Sequence, residues 1–87
     1  MKSKKVPWGI LIDIATRIVK YGLYEHELTL LMDENNIQYR KGKSFNQLPK
    51  EVIKTMRTFN RKWSQEDHIA MTLHEHFEIK EQGENNA

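Results

Sequence analysis

The chain has 87 residues, with 14 Lys or Arg against 12 Asp or Glu, four His and no Cys. That length allows one domain around one small core, which excludes a deep enzyme cleft between two domains. A hydrophobic share of 38% beside 30% charged residues is that of a folded chain rather than a disordered one, and the missing cysteine removes disulfides, thiol nucleophiles and thiolate metal sites.

The first six residues, "MKSKKV", are basic and polar and are expected to be flexible. A first helix is predicted over Pro7–Tyr21, since Pro suits the first helical turn and Gly22 the left-handed residue after a helix end. At about 100° per residue, Ile10, Ile14, Ile18 and Tyr21 share one face, widened by Trp8, Leu11, Ile12, Ala15 and Val19. The polar strip is Asp13, Thr16, Arg17 and Lys20, with Asp13 and Arg17 spaced for an i,i+4 ion pair. The apolar run Trp8–Ile12 stops at Asp13, too short for a bilayer span or a signal core. A cytoplasmic protein with no membrane contact is expected.

A second helix fits Tyr24–Glu34, burying Tyr24, Leu28, Leu31 and Met32 and leaving Leu30 on the far side. "DENN" (Asp33–Asn36) is its stop, because Asn tolerates the left-handed conformation. "IQYRKGKSF" then reads as an extended arm or small hairpin bending at Gly42. A third helix is predicted from Pro49 to about Trp63, with Val52, Met56, Phe59 and Trp63 as its buried face. Ser64 caps a fourth helix whose buried side is Ile69, Ala70, Leu73 and Phe77. The expected fold is mainly α: a compact bundle of about four helices, with an extended basic loop or short β-hairpin between helices 2 and 3. Residues 7–79 form the single domain and 80–87 a disordered tail.

Charge is segregated along this chain. Residues 1–20 carry five positive charges and one acid, and residues 21–35 carry four acids and no Lys or Arg. Residues 36–63 carry eight positive charges and one acid, and residues 64–87 one positive charge and six acids. Within the predicted third helix, Lys50, Lys54, Arg57 and Arg61 recur at i, i+4, i+7 and i+11, about 160° round the axis from the core face. Arg40, Lys41 and Lys43 enter just before it. Seven cations on one helix face and its adjoining elbow match a phosphate backbone. The alternative is that they merely solvate a surface, or are neutralised by the acidic second and fourth helices. Tyr39 and Phe45 interleave with the elbow cations, where stacking on unpaired bases competes with anchoring the elbow to the core.

Other chemistry is thin. His74 and Glu78 share a helical face, but His74 and His76 lie about 200° apart and cannot hold one ion on a regular helix. His76 falls at the core edge. No Ser or Thr has an identifiable base, and Glu66 and Asp67 are explained by capping, so no catalytic residue, metal or cofactor is assigned and the chain is not read as an enzyme. A helix-turn-helix register around Gly22 fails, because Arg17 and Ile18 fall where an apolar and a small residue should pack.

The favoured reading is a small DNA-binding regulatory or accessory protein that grips the backbone of double-stranded DNA. A Lys-, Ile- and Asn-rich composition fits an A+T-rich source such as a phage or mobile element. The alternative is a helical interaction module (an inhibitor, adaptor or immunity-type protein) docking on an acidic protein surface. Ile12, Val19, Leu30 and Met71, with Ile79, do not fit the core stripes and are candidate interface residues, including for a homodimer.

Overall fold

A computed structural model of the chain describes residues 5–80. The expectations for the flexible start and the disordered tail lie largely outside those residues. Val6 and Lys80 fall inside them, and both are held: Val6 is buried in the core, and the Lys80 backbone N–H donates to the Asn36 carbonyl at 2.8 Å.

The fold is mainly helical, with four helices and a two-stranded antiparallel sheet. In chain order the elements are α1 (Trp8–Tyr21), α2 (Glu25–Glu34), β1 (Ile37–Tyr39), a 3-10 turn (Phe45–Gln47), α3 (Leu48–Arg57), α4 (Gln65–His76) and β2 (Phe77–Ile79). The main helix contact is between α1 and α4, and α3 also packs on α4. Leu11, Ile14 and Ala15 from α1 meet Ile69, Ala70 and Leu73 from α4 in a core closed by Leu48, Ile37 and Phe77. Burying one such large side chain contributes about 1.5–3 kcal/mol. The centre of the α1 face is thus Leu11–Ile14–Ala15, and Tyr21, expected on the core side, is exposed. Tyr24 is likewise exposed, while Leu28 and Met32 are buried as their periodicity requires.

Local signals explain most element ends. Gly22 follows α1 with φ 106° and returns its N–H to the Ile18 carbonyl at 2.8 Å. Asn36 ends the α2 corner at φ 59°, and the Asn35 side-chain amide donates to the Leu31 carbonyl at 2.8 Å. Ser64 caps α4 by accepting from the Asp67 N–H at 3.0 Å.

Of the two forms expected for the elbow the extended one is found, not a hairpin closed on itself, and two other expectations are corrected. β1 pairs instead with the segment that leaves α4, in the register Ile37↔Ile79, Gln38↔Glu78 and Tyr39↔Phe77. Ile79, an unexplained apolar residue in the sequence, is therefore a sheet residue packed against the core. The third helix ends at Arg57, not Trp63. The Thr58 hydroxyl donates to the Lys54 and Thr55 carbonyls at 3.1 and 3.2 Å, and Asn60 then starts a turn, accepting from Lys62 N–H at its side chain (2.9 Å) and from Trp63 N–H at its carbonyl (2.8 Å). Side chains that bond their own backbone in this way compete with helix continuation. Finally, Asp13 and Arg17 form no ion pair. The pair found among the described residues is Lys80–Asp33 at 3.9 Å.

Candidate nucleic-acid interface

α3 is fixed from its inner side. Leu48 and Val52 are buried, Met56 packs against the core, and the Thr55 hydroxyl meets the Thr72 hydroxyl of α4 at 2.8 Å. With that face committed, the helical period turns Lys50, Lys54 and Arg57 outward, and all three are exposed. Together with Ile53 and Thr58 they line a shallow concavity of about 390 Å³. From Lys50 to Arg57 the axial rise is about 10 Å, at 1.5 Å per residue. A DNA strand carries one charge per about 3.4 Å of axis, so this row matches about three phosphates. Lys54 and Arg57 also occupy the last turn of α3, where the helix dipole favours cations.

The remaining predicted cations divide. Arg61 is exposed but lies on the turn beyond α3, so it does not extend the helical row. Lys41 and Lys43 are exposed on the elbow, near Gly42 with its φ of 84°. Arg40 is half-buried and structural: its Nε donates to the Phe77 carbonyl at 3.0 Å and its N–H to the His76 carbonyl at 2.8 Å. The elbow is held against the start of α3 by Gln47, which accepts from the Ser44 N–H at 2.8 Å and donates to the Gly42 carbonyl at 3.3 Å.

Of the two uses open to Tyr39 and Phe45, anchoring the elbow is the one found: both pack against the core, and Tyr39 meets Phe77 edge-on at 5.3 Å. Burial, with the Glu25 charge second, pushes the Tyr39 phenol up to about 12. Phe59 and Trp63, expected inside, are 37% and 44% exposed on the turn after α3. Lys62, absent from the sequence-based set, is exposed between them. The signal that would have found these residues is Asn60, a turn former in the middle of "TFNRKW".

The histidines hold no metal arrangement. Among the described residues no three His, Asp or Glu side chains are grouped to hold an ion. Glu78 sits on β2, not on a helix with His74, and its carboxylate accepts from the Gln38 amide at 2.6 Å. His76, placed at the core edge by the sequence, lies inside the core at 2% exposure. Among the interface candidates, Ile12 packs against the core, while Val19, Leu30 and Met71 are exposed. Leu30 lines a groove of about 490 Å³ between α2 and the end of α1, along with Ile18, Tyr21, Leu31 and the charged Arg17, Glu27 and Glu34. No described helix is long and apolar enough to cross a membrane.

Comparison with known protein families, curated proteins and solved structures finds no match to this chain.

Proposed function

We propose that the protein binds nucleic acid through the outer face of α3 and the elbow beside it, as a small regulatory or accessory factor on double-stranded DNA. One observation carries this reading. None of Lys41, Lys43, Lys50, Lys54, Arg57 and Arg61 lies within 4.0 Å of a carboxylate among the described residues, although acidic segments flank this stretch in sequence. Their charge is presented to solvent, where it can displace counterions from phosphates. Contacts from one helix face without a groove-reading element favour the backbone over base edges.

The test is fluorescence anisotropy with a labelled random duplex at several salt concentrations. Four or more phosphate contacts give a slope of log K on log salt of about −4 or steeper. The Lys50→Gln, Lys54→Gln, Arg57→Gln variant should flatten that slope by about 3 and weaken all sequences alike. Full affinity in that folded variant would remove α3 from the interface.

A second reading, a helical interaction module, is favoured by the groove beside α2, where Tyr21 and Leu30 stand exposed. Absence of duplex binding even at low salt, with a dimer in sedimentation that Leu30→Glu dissociates, would favour it.

A further inference from the structure

The turn that follows α3 has no part in the phosphate row, yet it collects what unpaired bases require. Phe59 and Trp63 each leave more than a third of their surface in solvent. Both rings rest on one side chain: His68 of α4 lies 5.1 Å from the Phe59 ring at 62° and 5.5 Å from the Trp63 ring at 46°. His68 also fixes the backbone between them, its Nε2 accepting the Asn60 N–H at 3.1 Å. The bonds from Trp63 and Lys62 to Asn60 complete the turn. Arg57, Arg61 and Lys62 stand exposed within the same seven residues.

We propose that Phe59 and Trp63 form a stacking platform for unpaired bases, fed by the cations of α3, so that the preferred ligand is a single strand rather than a closed duplex. The proposal rests on the phosphate-binding reading of α3, keeps duplex as the weaker ligand of that row, and makes a single strand the preferred one. Its warrant is the combination of features. Two part-exposed aromatic rings are held by a shared His backing, so little ordering cost remains on binding. Cations on the same turn receive the backbone of the strand whose bases stack. A sequence-tolerant single-strand site needs this pair of elements, a basic track and aromatic faces. Duplex DNA has its bases stacked already and offers nothing to these rings. Burial in the core, the other use of two large aromatics, is ruled out by their exposure.

The experiment compares a labelled oligothymidine with a blunt duplex of equal length, by anisotropy at one salt concentration. Wild type should bind the single strand at least about tenfold more tightly than the duplex. The Phe59→Leu, Trp63→Leu double variant keeps apolar contact with His68 but has no ring face. It should lose at least about tenfold on oligothymidine and nothing on the duplex, the retained duplex binding showing that the variant is folded. The Phe59→Tyr, Trp63→Phe variant should retain single-strand affinity. In a Trp8→Phe background, Trp63 emission should be quenched by oligothymidine and not by duplex. Equal losses on both probes, no loss on either, or an unquenched Trp63 would overturn the platform. The Lys50→Gln, Lys54→Gln, Arg57→Gln variant separates the two readings. If it binds both probes as wild type does, the α3 phosphate row falls, whereas a selective loss in the leucine variant speaks to the platform alone.

Discussion

His76 offers the most direct check on the energetics of the core. It is the last residue of α4, 2% exposed, and its buried Nδ1 has no hydrogen-bond partner among the described residues. An orphaned buried polar atom costs about 1–3 kcal/mol. Replacing the ring by an apolar side chain of similar size removes that cost, so His76→Leu should stabilise the fold by about 1 kcal/mol at pH 7.5. The same residue sets a pH dependence. Burial first, and the Lys43 charge second, lower its pKa from the ordinary 6.5, against the weaker opposing pull of Glu51 and Glu75. Well above 6.5 the ring is neutral in both folded and unfolded chains and contributes no slope. As pH falls below 6.5 the unfolded chain takes up a proton that the folded chain refuses, so stability drops until the folded value is passed. Each pH unit between the two values contributes about 1.4 kcal/mol. Urea melts at pH 7.5 and 5.5 measure the effect. Wild type should lose stability over that interval and His76→Leu should lose less. An equal loss in both proteins would refute the reasoning.

Three smaller perturbations follow from the same geometry. Ser64→Ala removes the cap that receives the Asp67 N–H and should cost about 1 kcal/mol in a urea melt. Gly22→Ala places a Cβ 2.8 Å from Tyr24 Cε2 at a φ of 106°. Tyr24 is exposed and its ring can swing aside, so the remaining loss is backbone strain of about 1–3 kcal/mol at a φ, ψ of 106°, 171° that glycine alone adopts readily, read as a lower melting temperature. Arg40→Gln breaks the bond to the Phe77 carbonyl and should cost about 1–2 kcal/mol, whereas Lys41→Gln should leave stability unchanged. Any binding defect in Arg40→Gln must therefore be measured well below its melting temperature.

The parts of the fold legible in the sequence are those that local chemistry decides. The period of Leu28 and Met32, the Asn pair after α2, and Ser64 with Asp67 each act within one turn of chain, and each falls where the residues place it. The extended stretch at Ile37–Tyr39 was legible from its alternation, but its partner was not, because Ile79 lies far along the chain, just after a helix, and no local pattern links the two. The end of α3 was missed for a different reason. Phe59 and Trp63 continue the apolar period of Val52 and Met56, whereas the turn chemistry that ends the helix rests on two side chains, Thr58 and Asn60. That single error moved two aromatics from the surface to the core and put Arg61 on a helix it does not join. Arg40 was counted with the elbow lysines because nothing in a sequence distinguishes a solvated guanidinium from one bonded to a distant carbonyl.

The contact between α1 and α4 has a consequence for how the chain is made. Ala15 and Ile69 are 54 positions apart, and at about 5–20 residues per second the ribosome needs about 3–11 s to deliver the second after the first. Throughout that interval Leu11, Ile14 and Ala15 lack the α4 residues that make their main helix contact, and the strand after α2 lacks its partner. The nascent segment is thus exposed to misassociation until α4 emerges, and chains interrupted between α3 and α4 should be found with chaperones or in aggregates rather than as shortened folded products.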